Sequence, residues 1–251
     1  MLYLLISCTR SEDCAAYTVE CEVACASDPD CEARCADSEA VCTSTLLTFP
    51  VNLVVITDAA PTATEAQLRE EVHILNEFFR QEDRDPLLHF QYGQHALWSD
   101  VSGSSCDLVD MVGDATAWVS DDWEDAVDAC TDTAVVSQSQ INLFVYDDYT
   151  DSDGYGSITS RGRVNGNHPY VLIDVERLDH TTQSPEEHEM GHAFGLGHEC
   201  DPTATLSTST NIMASATDCA GSGGLRDIGF DVGQVETIFE TALDSAVELG
   251  L

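Results

Sequence analysis

His188-Glu189-Met190-Gly191-His192-Ala193-Phe194-Gly195-Leu196-Gly197-His198 carries five fixed positions, H-E-x-x-H-x-x-G-x-x-H, that share one mechanical reading. On a helix, His188 and His192 stand at i and i+4 on one face, close enough to bind the same ion. Gly195 can take the positive φ that ends a helix, so the chain can swing back and deliver His198 as a third nitrogen. Three neutral imidazoles with no fourth protein ligand suit a tetrahedral zinc ion that keeps one position for water. Glu189 is then placed to accept that water's proton. The competing reading is a buried helix whose histidines are merely hydrogen-bonded. A bare H-E-x-x-H arises readily by accident, whereas the longer string with its glycine does not.

The tetrapeptide Ser184-Pro185-Glu186-Glu187 announces this helix with an N-cap serine, a proline at the first helical position and a glutamate at the third, the pattern of a capping box. Further on, Asn211-Ile212-Met213-Ala214 sets a methionine in a mostly apolar tetrapeptide, which by itself reads as core filling. Taken together, the histidine string and the later methionine resemble the metzincin zinc metallopeptidases. The resemblance implies that Met213 lies in a turn, forming a hydrophobic floor under the imidazoles without binding the metal. It also implies an α/β (α+β) fold: a twisted, mostly parallel sheet, the active-site helix, the methionine turn and a C-terminal helix. The implied activity is zinc-dependent endopeptidase action on protein or peptide substrates, with Glu189 as general base and then acid. Glu199 directly follows the third histidine, as in astacin-like members. No tyrosine follows Met213 where astacins and serralysins carry a fifth ligand. The resemblance therefore reaches the clan, over residues 47–251, and no single family within it.

Around the motif, elements alternate. Val51–Thr57, Leu87–Tyr92, Ile141–Tyr146 and Val171–Val175 read as strands, rich in β-branched and aromatic residues. Thr64–Gln81 reads as a helix capped by Thr64 with Gln67 three residues on, and Leu68, Val72, Leu75 and Phe79 as its inner stripe. A short helix is expected over Asp121–Cys130. The C-terminal helix, Asp231–Leu249, is striped by Val232, Val235, Phe239, Ala242, Leu243 and Ala246. Gly154–Ser160 is the expected edge strand for pairing with an extended substrate. His73, His89, His95, His168 and His180 lack metal-ligand spacing and read as surface or core residues.

Eleven cysteines point to an oxidising compartment. From Cys14 through Cys21, Cys25, Cys31 and Cys35 to Cys42, the intervening gaps of 6, 3, 5, 3 and 6 residues form a palindrome. Two C-x3-C helices joined at Ser27-Asp28-Pro29-Asp30 and folded antiparallel align Cys25 with Cys31, Cys21 with Cys35 and Cys14 with Cys42. This arrangement, over residues 9–46, resembles disulfide-stapled twin C-x3-C hairpins; a metal cluster is the alternative. Cys106 with Cys130 and Cys200 with Cys219 complete five bridges. Cys8 is left over. Leu5-Ile6-Ser7-Cys8 matches a bacterial lipobox, so residues 1–8 read as a truncated lipoprotein signal and Cys8 as a lipidation candidate. Met1–Ile6 is short and lacks a basic flank, so either the signal starts upstream or the match is accidental. The expected location is extracellular or the cell envelope, with peripheral membrane attachment through Cys8.

The formal net charge is −37, with nine arginines and no lysine. Lysine chemistry is thereby excluded, and nucleic acid is not an expected partner. The acidity reads as a solvated surface, or alternatively as attraction for basic substrates. Asp147–Gly156 offers carboxylates and glycine in a calcium-like spacing, but without the later bidentate glutamate it reads as a solvated turn, with Ca2+ the lesser alternative. A different class of function, a non-catalytic surface binding protein with a vestigial metallopeptidase domain, would be marked by a damaged ligand set or base. His188, His192, His198 and Glu189 are all in place.

Overall fold

Val51-Asn52-Leu53-Val54-Val55-Ile56 is apolar on both faces apart from Asn52, which suits a strand covered from both sides. A computed structural model describes residues 46–56, 63–82, 85–97, 130, 136–146, 161–165, 168–178, 185–216 and 219–251. That segment lies in β1 (Thr48–Ile56), with each of its residues buried. β1 pairs in parallel with β2 (His89–Leu97) on one side and β3 (Ile141–Tyr146) on the other. β3 pairs in parallel with β5 (His168–Asp174), and β4 (Arg161–Asn165) closes the far edge antiparallel to β5. The sheet order is β2-β1-β3-β5-β4, the mixed α/β, mostly parallel architecture expected.

Helix α1 (Glu65–Phe78) has the foreseen capping box of Thr64 and Gln67, and Leu68, Val72, Leu75 and Phe79 are buried. It ends before Gln81 because Arg80 and Gln81 leave the helix to bridge Pro86 and Phe230. Helix α2 (Pro185–Ala193) packs on β4 and β5, and α3 (Val232–Leu249) is the C-terminal helix. Phe49, Phe79, Phe90, Phe194 and Phe230, all buried, form an aromatic cluster with ring centroids 4.7 to 6.5 Å apart. The cluster joins β1, β2 and the ends of α1 and α2, so helix α2 is anchored by its own Phe194.

Some expectations need correcting. The α3 stripe holds in part: Ala242 and Ala246 are buried and Val235 packs against the core, but Val232 (76%), Leu243 (58%) and Phe239 are exposed, and Ile238, Ser245 and Leu249 face inward in their place. Apolar residues on both sides of this helix made two stripes equally readable, and packing chose the one holding Ile238. β2 runs five residues past Tyr92 because it keeps pairing with β1 across a bulge at Val51/Asn52. β5 begins at His168, where β4 pairs with it, and Val175 turns into a single 3-10 turn, Val175–Arg177. The capping box expected of Ser184 and Glu187 rests on Ser184, which lies outside the described residues, while Glu187 itself is fully buried.

Cys8, the hairpin cysteines Cys14, Cys21, Cys25, Cys31, Cys35 and Cys42, Cys106, Ser184, Gly154–Ser160 and Asp147–Gly156 lie outside the described residues, as does the Asp121 helix up to Cys130. Cys130 itself is fully buried and disulfide-bonded. Among the described residues, no helix is long and apolar enough to cross a membrane.

Candidate metal centre

Two turns of α2 hold His188 and His192, and their ring centroids lie 4.7 Å apart. The helix then stops as the glycine predicted. Gly195 has φ +89°, its N–H bonds His192 O at 2.9 Å, and Leu196 N–H bonds Gly191 O at 3.0 Å, the paired bonds of a Schellman motif. The reversal brings His198 back, 5.3 Å from the His188 ring and 4.7 Å from the His192 ring. One nitrogen from each of the three imidazoles lies within 4.8 Å of the others.

The outer nitrogens are occupied in a way that fits a metal. His188 Nδ1 is 2.8 Å from Ile212 O and His192 Nδ1 is 2.7 Å from Leu196 O. With Nδ1 carrying the proton toward each carbonyl, Nε2 is left with its lone pair for an ion, as is usual for metal-binding histidines. Burial first, and then the positive charge of Arg226, hold the His188 pKa well below its ordinary value, so the ring is neutral at pH 7. The donor set and spacing fit zinc.

Met213 is fully buried against this helix. A Cβ on Gly191 would collide with the Met213 sulfur, so the helix needs glycine where the methionine closes on it. Residues 210–214 thread between two neighbours: Ile212 N–H bonds Ile228 O at 2.9 Å, and Glu199 N–H bonds Met213 O at 2.8 Å. Asn211 Oδ1 accepts from Met213 N–H at 2.8 Å, and its amide donates to Gln234 Oε1 at 2.8 Å. Gln234 is also the capping partner of Asp231 at the start of α3 and donates to Glu199 at 3.3 Å. One amide pair thus ties the Met213 turn, the residue after His198 and the start of α3 together. Cys200 and Cys219 are bridged, as expected, with Cα atoms 5.6 Å apart.

The electrostatic setting is two-sided. Behind the helix N-terminus, Glu71, Glu186 and Glu187 are fully buried. Loss of water is the main cause that raises the Glu186 carboxyl, helped by Glu187 and Glu71, and that pushes Glu187 up to about 8. Glu189, by contrast, is half-buried and lies beside Arg226, whose pKa is lowered chiefly by burial while Glu189 opposes that shift. The arginine is locked: it adopts φ +53°, its N–H bonds Thr210 Oγ1 at 3.0 Å and its Nε bonds Ala214 O at 2.8 Å. Sequence reading singled out neither Arg226 nor the Asn211–Gln234 pair, because both act across separations of 12 to 23 residues with no spacing rule.

No protein-family model matches the chain, nor does any curated protein. Among solved structures, the chain is similar to mature mirolysin of Tannerella forsythia in complex with a cleaved peptide, at 13% identity and a TM-score of 0.45, covering 82% of this chain and 98% of that one. It is also similar to metalloproteinase-II from Bacteroides fragilis, at 13% identity and a TM-score of 0.44, covering 78% of this chain and 53% of that one.

Proposed function

We propose that this chain is a zinc-dependent endopeptidase of metzincin type, acting outside the cell or in its envelope. The observation that carries the reading is the convergence of three imidazole nitrogens within 4.8 Å, with Glu189 next in sequence to the first of them and the buried Met213 packed on Gly191 of the same helix. His188, His192 and His198 would hold the ion, and when bound zinc supplies Lewis acidity and lowers the pKa of water toward about 7. Glu189 takes a proton from the attacking water and returns it to the departing amine. Ile212 O and Leu196 O fix the two helical rings, and Met213 supplies an apolar floor that excludes water from beneath them. The antiparallel edge strand β4, beside β5 and against α2, offers backbone groups for an extended peptide, the role expected from sequence of Gly154–Ser160 just before it. Lipid attachment at Cys8 and the stapled hairpin of residues 9–46 belong to the same proposal.

Substitutions at the two kinds of residue should fail differently. His192→Ala is expected to lose both zinc and activity. Glu189→Ala is expected to keep about one zinc per chain while turnover falls by about 10² to 10⁴, read by metal analysis and cleavage of a random peptide library. Wild-type protein that holds stoichiometric zinc yet cleaves nothing in the library would favour a vestigial, non-catalytic binding protein.

A further inference from the structure

Helix α3 turns a second apolar face outward. Ile238, Ala242, Ala246 and Leu249 face the core, yet Val232, Phe239, Leu243 and Val247 are exposed, Val247 by 78%. With 3.6 residues per turn these four fall within about 80° of one another, in a stripe about 22 Å long. Apolar side chains scattered singly over a surface are ordinary, whereas a continuous apolar stripe marks an interaction site. The border of the stripe is as regular. Glu236, Glu240, Asp244 and Glu248 are the charged residues of α3, all exposed and spaced four apart, so they run down one side of it. Like charges at i and i+4 repel, and Glu248 lies near the negative end of the helix dipole with no basic residue in the last turn. Among the described residues none of the four carboxylates is held in an ion pair.

We infer that this face of α3 is a docking surface for a basic amphipathic helix of a partner protein. Its apolar residues would cover Val232, Phe239, Leu243 and Val247, and lysine or arginine along one edge would meet the four carboxylates. Covering the stripe removes apolar surface from water, and cations opposite the acid line relieve a repulsion that the free helix carries. Charge decides among the occupants. A second copy would bring like charge to like charge in a chain of net charge −37, and an anionic lipid surface would be repelled in the same way. This chain supplies little to neutralise the line: it has nine arginines and no lysine, and its two arginines closest in sequence, Arg161 and Arg163, are held in β4. The inference stands apart from the peptidase reading, since neither the stripe nor the acid line includes a residue of the metal centre.

The probe is a labelled synthetic helix of about 16 residues, long enough to span the stripe, with leucines on one face and lysines along one edge. It is titrated into the full chain carrying Glu189→Ala, so that bound peptides survive, and read by fluorescence anisotropy. One control is a scrambled peptide of the same composition, which keeps the charge and loses the face; the other is the same helix with glutamate in place of lysine. The basic amphipathic helix should bind about tenfold tighter than either control, with an affinity that falls as salt is added. Leu243→Gln/Val247→Gln, which leaves the net charge unchanged, should remove that preference. Glu240→Gln/Asp244→Asn should lessen the fall with salt, and circular dichroism of both variants should match the parent. Equal binding of the basic helix and its scrambled form, or a preference that survives Leu243→Gln/Val247→Gln, overturns the surface. A concentration-dependent dimer, or flotation with phosphatidylserine vesicles, that is lost in Leu243→Gln/Val247→Gln would also overturn it, by giving the stripe to a different occupant.

Discussion

Gly195 and Glu187 show how single residues set the site's limits. Gly195 sits at φ +89°, and an L side chain there is strained. Gly195→Ala is expected to cost about 1 to 2 kcal/mol in urea denaturation and to weaken zinc binding by more, because the reversal it supports delivers His198. Glu187 differs in kind. Its folded pKa, about 8, lies above the ordinary 4.5, so between these values the folded state holds a proton that the unfolded state has lost. Stability of the metal-free protein should therefore fall as pH rises from about 4.5 through about 8. Glu187→Gln should flatten that fall, as read by thermal melts across the pH range. A slope unchanged by the substitution would place the buried proton elsewhere.

At the scale of elements, the segment from Glu199 to Gln234 acts as a clamp around Met213. The Cys200–Cys219 bridge closes a loop of 19 residues' separation, worth roughly 3 kcal/mol in the chain-entropy model. Its removal by Cys200→Ala/Cys219→Ala should speed zinc loss more than it lowers the melting temperature, because the loop loosens before the sheet opens. Gln234→Ala should act in the same direction through Asn211. Helix α3 supplies the counterpart test of packing phase. Ile238→Ala should cost about 2 to 4 kcal/mol, whereas Leu243→Gln, on the exposed side, should change stability by less than about 0.5 kcal/mol; equal costs would restore the stripe read from sequence. The stripe read from sequence was right at Ala242 and Ala246 and wrong at Val232, Phe239 and Leu243, because those three match helical spacing as well as the buried set does.

For the whole molecule, charge and metal set the conditions. A net charge of −37 repels itself in the folded state, and screening reaches about 10 Å at 0.1 M salt. The melting temperature should therefore rise with added salt, and rise again on zinc addition after chelation, since a ligand of the folded state stabilises it by mass action.

The amino-acid sequence alone determined what depends on local geometry. The i, i+4 histidines, the positive-φ glycine, the Thr64 and Asp231 helix starts and the apolar central strands follow from the periods of helix and strand and from one residue's freedom of φ. Tertiary structure decided what depends on which segments meet. The buried Asn52 amide donating to Asn142 at 2.8 Å, 90 residues away, the glycine under the Met213 sulfur, the three buried glutamates and the Arg226 guanidinium beside Glu189 have no local signature. Burial and neighbouring charge come from chain segments far apart in sequence, and only the folded chain brings those together.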